Sequence, residues 1–463
     1  MAAGAQRPEG SDRSGPARTE QARADEARTA RTALVDFLRD SIGLDDAAEA
    51  AFRQVPRHLF VPELPPSLAY SDESVVVKSG ADGTPVSSSS QPTMMAIMLD
   101  QLGLRSGHRV LEIGAGTGYN AAVMAHIVGG AGRVVTVDID AELAARASAS
   151  LAAAGYGRVQ VGCGDGALGF AGGGPYDRII ATVGAWDIAP QWLEQLAPGG
   201  RIVLPISVRG MQLSVAFDRG DGYLISRSAV RCGFIKMAGA LAGPEAVGPA
   251  GPQPGMQFGT DDGRPLDPDA VYAALNGPAV VVVADLPEVS QSELSDADLW
   301  LTLAEPDLLR LTVFGRRSRS PDGGPLRPLS GLAEVAKPDG KLGIAAVTLS
   351  PAQPVAGRIQ AAGVADAGQA AGAEDGPAEV GLATGGEGAP AADRGMLLVR
   401  GYGPAGTELA SYLAARAGTW HRLGRPGTSS LRLTVYPAGA DAEASGELIL
   451  RRPCSTLVVD WRG

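Results

Sequence analysis

Gly114, Gly116 and Gly118 follow the short apolar run Val110-Leu-Glu-Ile113, and their G-x-G-x-G spacing suits a turn that must bring backbone close to a ligand. Without Cβ atoms the chain can turn sharply there, and the helix that follows offers unpaired N–H groups at its start. Glu112, at the end of the run, is placed to face a cationic group of that ligand, and Ala115 lies inside the turn. A second apolar run, Arg133 to Asp140, puts Asp138 20 residues beyond Gly118, where a carboxylate can accept from both hydroxyls of a ribose. A third, Arg158 to Cys163, delivers Gly164-Asp165-Gly166, with Asp165 placed to accept from an adenine amine. Each of these residues alone is equally consistent with an ordinary turn. Together they place three strand ends around one adenosine-like ligand.

Tyr119 stands where a dinucleotide fingerprint requires glycine, which turns the reading away from a nicotinamide cofactor and toward S-adenosylmethionine. Upstream, the polar stretch Gly80 to Ser90 ends in Ser87, Ser88, Ser89 and Ser90, followed by Gln91-Pro92 and an apolar helical stretch from Thr93 to Leu102. Proline is tolerated in a first helical turn and a serine before it can cap, so free N–H groups and hydroxyls there are suited to hold a carboxylate. On its residues alone the stretch reads first as a flexible serine-rich loop with one helix cap. If it does hold an acceptor carboxylate, the chemistry is undemanding. A carboxyl with a pKa near 4 is already ionised at neutral pH and needs no general base to attack a sulfonium methyl. Alignment and desolvation can then supply roughly 7 to 11 kcal/mol of the barrier reduction.

The elements that must position these residues follow from periodicity. Between Glu112 and Phe217 strands and helices alternate, which predicts a parallel sheet covered on both faces, an α/β, Rossmann-like doubly wound fold. Arg201 to Ile206 is a further strand after Pro198-Gly-Gly200, and Met211 to Phe217 and Tyr223 to Gly233 are late strands, the first antiparallel at an edge. Leu34, Val35, Leu38 and Ile42 share a helical face, and Asp45-Asp46 can start a second helix reaching Phe52. The expected organisation is a polar, disordered tail over 1–28, the ligand-binding domain over 29–237, a Gly/Pro-rich linker over 238–268 and an α/β-like accessory domain over 269–463. In that last region Val280 to Asp285, Leu299 to Ala304, Leu309 to Phe314, Ile344 to Leu349, Met396 to Tyr402 and Leu431 to Tyr436 read as strands, and Glu408 to Arg416 as a helix. Residues 350–394 read as a disordered insertion.

Composition narrows the function classes. A net charge of −11 without a basic stripe argues against a nucleic-acid partner. Cys163, Cys232 and Cys454 are far apart and accompany four histidines, so neither a metal site nor a disulfide framework is expected. Cys163, within a strand, reads as core, and His58 as structural. The longest apolar run, near Val280 to Ala284, is too short for a bilayer, and a cytoplasmic protein without a membrane partner is expected. Trp186 and Asp187 follow the fourth strand, Asp177 to Val183, where amino methyltransferases acting on DNA carry a Pro-Pro-aromatic motif; Gly184-Ala-Trp186 is not that motif.

From about Ala51 to Met237 the chain resembles the protein-L-isoaspartate O-methyltransferase family. The resemblance rests on Val55-Pro-Arg57, Phe60-Val-Pro62, Ala69-Tyr70, Ser90-Gln-Pro92, the glycine motif, Gly164-Asp-Gly166, Pro175-Tyr-Asp-Arg178 and Pro198-Gly-Gly-Arg201. It implies a class I S-adenosylmethionine-dependent methyltransferase fold that esterifies the side-chain or α carboxylate of a damaged aspartyl residue. It implies further that Ser90 is the catalytic-loop serine, and that Ser87 to Ser90, Ala115, Asp138, Asp165 and Gly166 contact the cofactor. Ser88-Ser-Ser90 departs from the family's Thr-Ile-Ser, keeping hydroxyls but losing the apolar middle residue. The long C-terminal region, with Gly184-Ala-Trp-Asp187 and Cys232-Gly-Phe-Ile235, resembles the longer variants associated with ribosomally made, modified peptides, both lanthipeptides and ATP-grasp-ligated peptides. Asp298-Leu-Trp-Leu301, Val399-Arg-Gly-Tyr-Gly403 and Val435-Tyr-Pro-Ala438 carry that part. For those variants the implied partner is an aspartate-containing precursor peptide, driven toward succinimide or isoaspartate. General isoaspartyl repair, and a cofactor-dependent peptide-binding module without turnover, stand as the alternatives.

Overall fold

A computed structural model describes residues 15–462 apart from 82, 245, 250–255, 261–262, 306, 316–328, 335–341, 350–393 and 441–445. The chain divides into two compact units that interleave along the sequence. The first takes residues 1–183, 191–203 and 238–240, the second 184–190, 204–237 and 241–463.

The first unit opens with α1 (Gly15–Ile42) and α2 (Asp46–Gln54). Asp45 caps α2 by accepting from the Ala48 N–H at 2.6 Å, and Leu34, Val35, Leu38 and Phe52 are buried, as the helical spacing requires. Of the tail expected over 1–28, residues 1–14 lie outside the described residues and 15–28 belong to α1. Its Arg23 donates to the carbonyls of Pro62 and Leu64, so this polar stretch is held by contacts that composition does not reveal. After α3 (Pro66–Ala69), β1 (Val75–Ser79) and β2 (Pro85–Ser89) form an antiparallel hairpin that leads to α4 (Pro92–Leu102). Alternation then builds β3 (Arg109–Ile113), α5 (Tyr119–Val128), β4 (Arg133–Asp138), α6 (Ala141–Ala153), β5 (Gln160–Cys163), β6 (Tyr176–Ala181), α7 (Pro190–Gln195) and β7 (Leu196–Val208). The strands pair in parallel in the order β5-β4-β3-β6-β7. This is the class I methyltransferase arrangement, in which order reverses at β3. The C-terminal ends of β3, β4 and β5 therefore share one edge, where ligands bind in doubly wound sheets.

The second unit begins at Gly184 and includes the end of β7. Along one sheet β8 (Met211–Arg219), β9 (Leu224–Cys232), β19 (Leu431–Pro437), β21 (Ser455–Trp461) and β20 (Leu448–Arg451) follow one another, all antiparallel. A seven-stranded sheet has the order β10 (Ala246–Pro249), β11 (Met256–Thr260), β14 (Leu309–Gly315), β15 (Leu329–Glu334), β16 (Gly343–Leu349), β18 (Leu397–Tyr402) and β12 (Val280–Val283). The helix α8 (Pro268–Asn276) packs on β16. The short pair β13 (Val289–Ser290) and β17 (Arg394–Gly395) flanks α9 (Gln291–Ala304), which packs with α10 (Gly406–Arg422) around Trp300, Leu301, Val399, Leu413 and Trp420.

Several boundaries differ from expectation. The stretch 238–268 is not a bare linker, because β10 and β11 lie in it and belong to the seven-stranded sheet. The domain edge placed near Met237 gives way to the interleaved division, since β8 and β9 group with the C-terminal residues through β9–β19 pairing. Leu299 to Ala304 is helical rather than a strand. Ser290 and Glu293 form a reciprocal capping box, and Leu294, Ala297, Trp300 and Leu301 bury one helical face. The expected insertion at 350–394 lies outside the described residues up to 393. Among the described residues no helix is long and apolar enough to cross a membrane.

Candidate active site

Geometry at the shared edge begins with the glycine turn. Gly114 has φ +97°, and a Cβ there would stand 2.9 Å from both Thr182 Oγ1 and Val183 Cγ1, so backbone curvature and space both demand glycine. A Cβ on Gly116 would instead meet Ser88 O at 3.7 Å and Ser87 Oγ at 3.8 Å. That proximity places the serine strand directly against the turn. Gly118 is the N-cap of α5 and has no side chain to cap it; the Tyr119 N–H donates instead to Thr117 Oγ1 at 3.4 Å.

Asp138 is 9% exposed, and its carboxylate spans two backbone donors: Gly116 N–H to Oδ2 at 3.0 Å and Asp140 N–H to Oδ1 at 3.0 Å. A carboxylate has about four acceptor positions, so it retains capacity for a pair of hydroxyls. Asp140 caps α6 and its Oδ2 takes Lys78 Nζ at 2.7 Å, which ties β1 to this edge; Glu142 takes the same ammonium at 2.7 Å. Asp165 accepts from Ala167 N–H at 2.9 Å and from Ala240 N–H at 2.8 Å. Close passage of the second donor requires glycine before it, because a Cβ on Gly239 would come within 2.5 Å of Asp165 Oδ2. Buried Gly166 accepts from Trp192 Nε1 at 2.9 Å. The exposed apolar side chains Ile139 and Leu168 lie close after these two acids in sequence, and reading the residues for polar function passes them by.

Glu112 differs from the expectation of a carboxylate facing a cation. It has no exposure, accepts from Asn120 Nδ2 at 2.7 Å and Thr136 Oγ1 at 2.6 Å, and burial pushes its pKa up to about 7. Glu112 thus ties β3 to α5 and β4. Ala115 is buried within the turn. Cys163, expected in the core, is exposed at the end of β5.

The serines also sit differently from a flexible loop. Ser87 to Ser89 are in β2, paired with Val75 to Lys78; Ser87 and Ser89 are buried, and Ser88 and Ser90 are half-buried. Ser90 does not cap α4. Asp72 does, accepting from Thr93 N–H at 2.8 Å, Thr93 Oγ1 at 2.8 Å and Gln91 Nε2 at 3.0 Å. Arg57, fully buried, donates to Ser90 O at 3.0 Å and Ala69 O at 2.8 Å, and its guanidinium lies 5.0 Å from the Tyr119 ring centroid at the start of α5. One cation thus links the serine strand to the helix of the glycine turn. Neither Asp72 nor Arg57 emerges from spacing as a site residue, because their partners lie 12 to 33 positions away. His58 bonds Tyr70 OH at 3.0 Å through Nδ1, a structural contact.

The family model for protein-L-isoaspartate(D-aspartate) O-methyltransferase matches residues 29–242. Protein-L-isoaspartate O-methyltransferase 1 of Archaeoglobus fulgidus is 47% identical over 192 residues, which are 42% of this chain and 86% of that protein. This chain belongs to the protein-L-isoaspartate(D-aspartate) O-methyltransferase family. The enzyme of that name from Methanopyrus kandleri is 42% identical over 46% of this chain and 92% of its own length. A solved structure described as protein-L-isoaspartate O-methyltransferase is 23% identical, covers 87% of this chain and 96% of that chain, and has a TM-score of 0.46. S-adenosylmethionine is the methyl donor of isoaspartate methyltransferases, and the edge fits it. The turn is free of side chains at Gly114, Gly116 and Gly118, and Asp138 and Asp165 stand at successive strand ends.

Proposed function

We propose that the protein transfers the methyl group of S-adenosylmethionine to the carboxylate of an aspartyl or isoaspartyl residue in a peptide, and that its own acceptor is a modified precursor peptide. The observation that carries the methyl transfer is the approach of the serine strand to the glycine turn at Gly116. It brings hydroxyls suited to an acceptor carboxylate beside backbone suited to the donor.

When bound, S-adenosylmethionine supplies an electrophilic methyl on a sulfonium. Asp138 orients the ribose hydroxyls, Asp165 the adenine amine, and Ile139 and Leu168 offer apolar faces to the base. Ser90 would hold one oxygen of the acceptor carboxylate and leave the other free to accept the methyl. Arg57 keeps Ser90 in register by binding its carbonyl. With S-adenosylmethionine held there, its methyl would pass from sulfur to the carboxylate oxygen, the carbon–sulfur electron pair staying on sulfur, to leave a methyl ester. No proton moves in that step, so no base is required. The ester carries a better leaving group than the acid. Attack by the following backbone nitrogen closes a succinimide with loss of methanol, and water opens it to aspartate or isoaspartate.

The precursor-peptide acceptor rests on the resemblance of the long C-terminal region to the variants associated with modified peptides. Within the second unit Asp187 accepts from Cys454 N–H at 2.7 Å and Ser455 Oγ at 2.5 Å, so residues outside the family match hold the segment after β6. General repair is the second reading, favoured by the 47% identity to the Archaeoglobus fulgidus protein. Mass spectrometry of reactions with S-adenosylmethionine and, separately, a generic isoaspartyl peptide, its aspartyl twin and the modified peptide made by the same genome separates them. Ester and water-loss product on the modified peptide alone supports the proposal. Ester on the generic isoaspartyl peptide alone replaces it with repair, and no product on any peptide leaves a binding module.

A further inference from the structure

The seven-stranded sheet of the second unit ends in β12, four consecutive valines from Val280 to Val283 that pair with β18 on one side alone. We propose that this open edge binds an extended peptide segment as a further antiparallel or parallel strand, and that Arg400 takes a carboxylate side chain of that segment. The edge lies wholly in the second unit, so its occupancy is independent of the methyl-transfer reading.

Pairing determines which backbone groups are left over. Ala284 N–H donates to Leu397 O at 2.9 Å, and hydrogen-bonded pairs alternate along an antiparallel ladder, so Val282 bonds Val399 and Val280 bonds Gly401. Val281 and Val283 therefore direct N–H and C=O away from β18, a row of donors and acceptors that one more strand would match. Among the described residues nothing hydrogen-bonds these outward groups, and the two side chains are 46% and 52% exposed. Edges elsewhere in the chain are blunted. At the other end of the same sheet β10 includes Pro249, which has no N–H, and β20 ends in exposed Arg451 with Pro453 two residues on. By contrast β12 has no charge, no proline and no break in its register with β18.

The two faces of the strand differ. Val282 packs into the core that holds Val399, Leu413 and Trp420. Val281 and Val283 point to the other face, which they share with Arg400, the residue opposite Val281 on β18. Arg400 is half-buried, and among the described residues its guanidinium has no ion-pair or hydrogen-bond partner. An added strand would lie two strand spacings from β18, about 10 Å, which an arginine and a glutamate side chain span together across Val281. The occupant selected is an extended backbone with apolar residues beside the valines and a carboxylate near Val281. Exposed Asp285, two residues past Val283, disfavours a second carboxylate at that end. A second copy of the chain would bring valines and another Arg400 to this edge, so charge favours an acidic peptide over self-pairing.

The test uses the full chain and a fluorescein-labelled peptide, Thr-Val-Thr-Glu-Val-Thr-Val, with a Gln twin and a twin N-methylated at alternate backbone amides. Anisotropy gives affinities, and hydrogen–deuterium exchange reads the Val281 and Val283 amides. Both amides should be protected by the Glu peptide. It should bind about fivefold more tightly than the Gln twin, the gain of an exposed ion pair, and at least fivefold more tightly than the N-methylated twin. Arg400→Gln should abolish the Glu preference and leave the Gln affinity unchanged. Val281→Pro removes an outward N–H and keeps the ladder to β18, so it should abolish binding with circular dichroism unchanged. If that variant unfolds, Arg400→Gln and the N-methylated peptide decide. No protection at millimolar peptide, or a Glu preference that survives Arg400→Gln, would overturn the proposal. Protection that rises with protein concentration in the absence of peptide would overturn it in favour of an edge-to-edge dimer.

Discussion

Glu112 makes the stability of the first unit depend on pH in a direction opposite to most carboxylates. Burial raises its pKa from an ordinary 4.5 to about 7, against the lowering effect of its hydrogen bonds from Thr136 and Asn120. Between those values the native protein holds a proton that the unfolded chain has released, so stability falls as pH rises through that window. The gap corresponds to about 3 kcal/mol, fully present below pH 4.5 and lost by pH 8. Glu112→Gln keeps the shape and removes the titration. The new amide can accept from Asn120 Nδ2 and donate to Thr136 Oγ1, because a hydroxyl serves in either role. The variant should therefore match the parent near pH 5 and exceed it at pH 8. At about 2–4 °C per kcal/mol for a domain of this size, a rise of roughly 6–12 °C at pH 8 is the upper bound. Thermal unfolding followed by circular dichroism at both pH values measures it. An equal shift at pH 5 and pH 8, or a loss of stability confined to pH 8, would refute the claim that desolvation of this carboxylate dominates.

Asp138→Asn should weaken S-adenosylhomocysteine binding at least tenfold by calorimetry, since a hydrogen bond to a charged group contributes about 1.5–3 kcal/mol; an unchanged Kd would remove Asp138 from the cofactor site. Asp72→Ala removes the cap of α4 and should cost about 1–2 kcal/mol in denaturant unfolding, with cofactor affinity retained. Arg57→Met fills much of the same space but leaves the carbonyls of Ser90 and Ala69 unpaired. It should destabilise by about 2–4 kcal/mol and reduce kcat, whereas a lowered kcat without any loss of stability would contradict its bracing role.

What the residues reveal and what they conceal divides by range. The glycine turn was legible because positive φ at Gly114 and Gly116 is a local demand, and Asp138 because a strand end 20 residues later returns to the same edge. Parallel order across β3 to β7 followed from alternation. Glu112 was misjudged because its position at a strand end says nothing of depth, and its partners Thr136 and Asn120 come from a neighbouring strand and helix. Serine content suggested a loop at Ser87 to Ser90, but pairing with Val75 to Lys78 turns it into a strand. The capping box at Ser290 and Glu293 was a readable signal of α9, outweighed by the apolar run Leu299 to Ala304. The interleaved units were beyond local reading. They depend on Thr434 pairing with Ile225, a contact across more than 200 residues that no local pattern encodes.

Everything proposed for the site turns on carboxyl methylation with Ser90 aligning the acceptor. Its most direct test is transfer of a labelled methyl from S-adenosylmethionine to aspartyl, isoaspartyl and modified precursor peptides, followed by mass spectrometry, with Ser90→Ala alongside and cofactor affinity measured in both proteins. A base-labile methyl ester is expected on the modified peptide, and for Ser90→Ala a kcat reduced at least tenfold with cofactor affinity unchanged. Label on a nitrogen, no label on any peptide, or full activity in Ser90→Ala would contradict it.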